Sequence, residues 1–148
     1  MNLIITGSPT RYDKRILHYL ETHYPLNDRT VTINFLTEPS VRRDISCSKN
    51  FKKTVSKEVV GLFCGAHTRP NFTITIGSNL RTWEKAKVLF HEYGHAVQCH
   101  TQNSAYTSKD IPTLEKDADE FALRLRKEAT AAGVKYISYK DRMKGWTY

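Results

Sequence analysis

His91-Glu92-Tyr93-Gly94-His95 decides how the rest of the chain is read. It is an H-E-x-x-H sequence inside a run with helical periodicity. Ala86, Leu89, Phe90, Tyr93 and Val97 form one apolar stripe, and Val88, His91, Glu92 and His95 fall on the other side. In a helix, side chains at i and i+4 lie one above the other. The spacing lets His91 and His95 aim two imidazoles at one point, as a tetrahedral Zn²⁺ requires of two of its ligands. Glu92 projects beside them, where a carboxylate can take a proton from a water that a metal has acidified. The plain alternative is a half-buried helical face that carries two histidines by chance. A helix committed on two faces belongs in the middle of a domain, with its histidine face turned to a cleft. Gly94 costs about 1 kcal/mol relative to alanine in a helix interior, and close approach of another backbone would explain it.

Outward from this helix, the pattern alternates between strand and helix. Thr82 reads as the helix N-cap, with Glu84 in the first turn. Before it, Val59–Cys64 and Phe72–Ile76 are β-rich runs separated by residues 65–71, which predicts an antiparallel hairpin. Val31–Leu36 alternates and predicts a further strand, and Leu3-Ile4-Ile5 another. Between these two, Ser8-Pro9 reads as N-cap and first helical residue. Tyr12, Ile16, Tyr19, Leu20 and Tyr24 follow at helical spacing, and Pro25 stops the helix. Residues 37–56 are the least patterned, with a short basic helix near Phe51–Lys57 or a loop as the two readings. Downstream, Pro112 opens a second amphipathic helix with a stripe of Leu114, Ala118, Phe121, Ala122, Leu125 and Ala129. Ala131-Ala132-Gly133 reads as its stop, and residues 134–148 show no clear pattern.

Two histidines leave a catalytic zinc short of a third protein ligand. Glu115, His100 and Cys99 are the candidates. His100 is rotated off the His91/His95 face. Cys99 is on that face but a further turn along. Three ligands spread along one straight helix do not easily converge on one ion, whereas Glu115 on a second, packed helix can. Asp119, one turn beyond Glu115, could accept the other ring N–H of a ligand histidine and fix its tautomer.

His91-Glu92-x-x-His95 followed by Glu115-x-x-Ala118-Asp119 resembles the gluzincin pattern of H-E-x-x-H with a later E-x-x-x-D. The text Glu-x-x-Ala-Asp-x-Phe-Ala over residues 115–122, with the hairpin before the helix, is most similar to the small ImmA/IrrE-type metallopeptidases. The similarity covers about residues 59–123. It implies an α+β, zincin-like domain in which a mostly antiparallel twisted sheet packs on the H-E-x-x-H helix and a second, Glu-bearing helix. It also implies Glu115 as third zinc ligand, Asp119 as the residue behind a ligand, and an intracellular protein or peptide substrate. Members of this group are often carried by phages or mobile elements. Glu92 would act as general base on the attacking water and then as acid toward the leaving amine. The substrate would add itself to an exposed sheet edge, for which Phe72–Ile76 is the candidate, an ordinary paired strand being the other reading of that run. Tyr106, His67, Tyr136 and Tyr139 are candidates for stabilising the oxyanion. Tyr106 falls between His95 and Glu115, where thermolysin-like gluzincins keep such a tyrosine.

Composition sets outer bounds. A chain of 148 residues favours one domain, 1–148. Its 39% hydrophobic and 26% charged residues are ordinary for a soluble protein. No apolar run approaches the ~20 residues of a membrane helix, and the first residues lack the features of a signal peptide. Cys47, Cys64 and Cys99 make a sparse, odd set without C-x-x-C, which favours a reducing, cytoplasmic setting and gives a zinc finger no support. The net charge is +8, concentrated in residues 42–57. That stretch is either a solvated surface or a patch for an acidic partner or nucleic acid. Two other function classes follow: a nucleic-acid-associated protease or binding protein, and a non-catalytic zinc-binding interaction module. The intact Glu92 speaks against the latter, because a structural metal needs no base.

Overall fold

The computed structural model describes residues 1–36, 61–101 and 111–145. The basic stretch 42–57, Tyr106, and Val59-Val60 lie outside them. In chain order the described elements are β1 (Asn2–Gly7), α1 (Arg11–His23), β2 (Thr30–Leu36), β3 (Gly61–Cys64), β4 (Asn71–Gly77), α2 (Thr82–Thr101), α3 (Ile111–Ala131) and α4 (Tyr139–Met143). The fold is α+β. No described helix is long and apolar enough to cross a membrane.

The four strands form one mixed sheet in the order β1-β2-β4-β3. β1 pairs with β2 in parallel, and so does β2 with β4; β3 alone runs antiparallel, against β4. The expected hairpin is present, but the expectation of a mostly antiparallel sheet is not met. The reason is α1. It joins β1 to β2, and a strand–helix–strand crossover returns the chain in its original direction. Phe72–Ile76 is likewise not an edge. It lies in β4, flanked on both sides, with Phe72, Ile74 and Ile76 fully buried. Among the described residues the edges are β1 and β3.

α1 begins at Thr10 rather than Ser8. The Thr10 hydroxyl accepts from the Asp13 N–H, and the Asp13 carboxylate accepts from the Thr10 N–H at 2.7 Å. This reciprocal capping box satisfies two backbone donors at once, which Ser8-Pro9 cannot do. Ile16, Leu17, Tyr19 and Leu20 then face a core shared with Val31, Ile33 and Phe35 of β2, with β4, and with Leu89, Phe90 and Tyr93 of α2. Tyr136 and Ile137, from the unpatterned C-terminal stretch, complete that core.

α2 is started by a distant residue. Thr82 does not cap it but is its first helical residue. The Asp141 carboxylate, from α4, accepts from the Thr82 hydroxyl and from the Trp83 N–H. A carboxylate there is favoured by the unpaired N–H groups and by the helix dipole. At the C-terminal end of α3, Gly133 takes a positive φ and the Val134 N–H bonds the Ala129 carbonyl, the stop expected from Ala131-Ala132-Gly133.

One buried ion pair fixes α1 to α2. Lys85 Nζ lies 3.0 Å from Asp13 Oδ2, and both side chains are almost fully covered. Removing one partner of such a pair strands the other charge away from water. Lys85→Met is therefore expected to destabilise the fold by about 3–5 kcal/mol, read from urea unfolding. A loss below roughly 1 kcal/mol, the range of exposed pairs, would mean that Asp13 reaches water.

Candidate metal centre

The site forms where α2 crosses α3, and two small residues let the helices meet. A Cβ added to Gly94 would lie 3.1 Å from Phe121 Cδ1 and 3.4 Å from the Cα and carbonyl oxygen of Ala118. The glycine thus answers the close backbone approach that its helix-interior position suggested. Ala118 is one turn beyond Glu115, so this approach brings the Glu115 carboxylate across from the histidines.

His91 Nε2 is 2.9 Å from Glu115 Oε2, and His95 Nε2 is 3.0 Å from Glu115 Oε1. The two Nε2 atoms are 3.1 Å apart. The three donor atoms all lie within 4.8 Å of one another. Bonds of about 2.0–2.1 Å to a tetrahedral ion place its ligands roughly 3.3 Å apart. A cation therefore fits after the donors spread by a few tenths of an ångström. Two imidazoles and one carboxylate are a donor set that zinc takes in catalytic sites. His91, His95 and Glu115 could hold a metal ion.

The outer nitrogens of both histidines are also engaged. His91 Nδ1 is 2.7 Å from Asp119 Oδ1, the contact expected of that residue. His95 Nδ1 is 2.9 Å from Gln98 Oε1. Sequence reasoning missed Gln98, although its i+3 spacing from His95 puts the two on one face.

Glu92 is buried next to the cluster. Burial pushes its pKa up, and the charges of His95 and His91 and a hydrogen bond from the Phe63 backbone only partly offset this. A carboxylate raised in this way is a better base near neutral pH. Its neighbour is β3. A Cβ on Gly61 would come 2.3 Å from Val88 Cγ1 and 3.2 Å from Glu92 Cγ, so only glycine lets the strand lie this close to α2.

The other sequence candidates are elsewhere. Cys99 is wholly buried in the core, where burial raises its thiol pKa. His100 Nδ1 accepts from Arg29 Nε at 3.1 Å. His67 Nδ1 donates to the Cys99 carbonyl at 2.8 Å. The Tyr136 hydroxyl donates to the Arg126 carbonyl inside the core, and Tyr139 is exposed on α4. Among the described residues, none of the oxyanion candidates joins the cluster.

Without a cation, protons hold the three groups together. Burial lowers the His91 pKa, but the Glu115 hydrogen bond and the charges of Glu92, Glu115 and Asp119 raise it to about 9. Burial likewise opposes, and Glu115 and Glu92 drive, a raised His95. Glu115 is held well below the usual carboxylate range, mainly by its bonds to His91 and His95. The folded-state pKa of His91 exceeds its ordinary 6.5. Its contribution to stability is thus complete below that value and is lost as pH rises through about 9. Metal-free protein is expected to lose stability over this interval in urea titrations, while its affinity for a divalent cation rises as the protons leave. A cation affinity that does not change over the interval would contradict the shared site.

No family model, no curated protein and no solved structure matches the chain.

Proposed function

We propose that this chain is a zinc-dependent endopeptidase of the gluzincin type, most similar to the ImmA/IrrE group, that hydrolyses peptide bonds of an intracellular protein. The observation that carries the reading is the convergence of His91 Nε2, His95 Nε2 and the Glu115 carboxylate on one point, beside a buried Glu92. The motif resemblance supports the same reading from residues 91–95 and 115–122.

Bound at the three donors, zinc would supply a Lewis acid that polarises a carbonyl and acidifies a water. The residues of the chain do the rest. Glu92 accepts the proton of the attacking water and delivers it to the leaving amine. Its raised pKa suits it to both halves of that transfer. Asp119 holds the His91 ring in one orientation. An extended substrate is assigned to β3 and not to Phe72–Ile76, because among the described residues β3 is an edge strand and it packs against Glu92.

Incubation with a mixed peptide library tests this reading. Cleavage that a chelator abolishes and added Zn²⁺ restores is the expected result. A zinc-loaded, folded protein that cuts nothing in the library would favour the interaction-module reading instead.

A further inference from the structure

Gln98 makes two hydrogen bonds that together determine which nitrogen His95 offers. Its Nε2 donates to the Leu114 carbonyl at 3.0 Å, and its Oε1 faces His95 Nδ1 at 2.9 Å. A backbone carbonyl only accepts, so the amide nitrogen must be the end at Leu114. A flipped amide would set two acceptors against each other there. The Oε1 end is then fixed toward His95, and an oxygen only accepts. His95 Nδ1 must carry a hydrogen, so when the ring gives up the proton it shares with Glu115, the lone pair that appears is on Nε2 and faces the site. Asp119, an acceptor when ionised, imposes the same choice on His91.

The second bond has a further effect. Leu114 adjoins Glu115, so one side chain connects a ligand on α2 to the turn of α3 that carries the opposing ligand. His91 is held by a carboxylate at the exposed side of the site. His95 is held by a neutral amide whose other end is anchored to backbone.

We infer that Gln98 is a positioning residue for metal binding: it selects the Nε2-ligating form of His95 and holds the Glu115 turn in register with it. This rests on the proposed metal site, and its test separates the two.

Zinc affinity is measured by competition with a chromogenic chelator for wild type, Gln98→Leu and Gln98→Glu. Gln98→Leu removes both hydrogen bonds and is expected to weaken zinc binding about 10–100-fold. Gln98→Glu keeps the acceptor for His95 but loses the donor to Leu114, and is expected to recover part of that loss. Nitrogen NMR of zinc-loaded wild type needs no variant. It should show His95 ligated through Nε2, with a slowly exchanging hydrogen on Nδ1. Ligation through Nδ1 would overturn the inference, as would wild-type affinity in folded Gln98→Leu. Either leaves the metal site standing. A wild-type protein that binds no zinc overturns the site and the inference together.

Discussion

Glu92→Gln is expected to abolish most peptide hydrolysis while leaving fold and metal in place. Glutamine keeps the shape and can still accept the hydrogen bond from the Phe63 backbone. It cannot take a proton from water. Loss of a positioned general base typically costs about 10²–10⁴-fold in rate. The fold should not suffer, because the amide removes a charge that burial disfavours. The zinc content of the variant should match wild type, since Glu92 is not among the three converging donors. The checks are turnover of a library-derived peptide and metal analysis of the same preparation. Wild-type-like turnover would remove Glu92 from its role.

Glu115→Ala should have the largest effect on metal binding. It leaves two histidines on one helix and removes the acceptor that both approach within 3.0 Å. Zinc affinity should fall by more than the about 10–100-fold that loss of a supporting residue costs. Asp119→Asn belongs in that milder range, because the amide oxygen can still accept from His91 Nδ1 but carries no charge. Cys99→Ala should leave affinity unchanged, because the thiol lies in the core and outside the cluster. The converse pattern, with Cys99→Ala stripping the metal and Glu115→Ala keeping it, would replace the carboxylate by a thiolate and end the gluzincin resemblance.

What the sequence disclosed follows from how local each signal is. The apolar stripes of α2 and α3 repeat every turn, so both helices and their buried faces could be read directly. Glu115 was reachable because ligands along one straight helix do not easily converge, which favoured a second helix over Cys99 or His100, and because the motif resemblance implied it. The sheet was harder. The hairpin is a local feature and was legible, but the parallel pairings of β2 join it to strands far along the chain. The start of α2 shows the same limit, because its capping carboxylate, Asp141, follows Thr82 by 59 residues. Nothing near Thr82 announces it. Gln98 is the opposite case, a short-range partner at i+3 that is plain once the His95 ring has a direction. The edge assignment failed for a related reason: alternation in Phe72–Ile76 marks a strand with a buried face but cannot say what lies beside it.

One cation is expected between α2 and α3, held by His91, His95 and Glu115. Crystals grown with zinc, with anomalous difference maps collected on both sides of the zinc absorption edge, test it most directly. One peak per chain is expected at bonding distance, about 2.0–2.2 Å, from His91 Nε2, His95 Nε2 and a Glu115 oxygen, with Glu92 beside it and unbonded. Density that instead leaves the His91–Glu115–His95 contacts closed, with zinc absent or bound elsewhere, would contradict it.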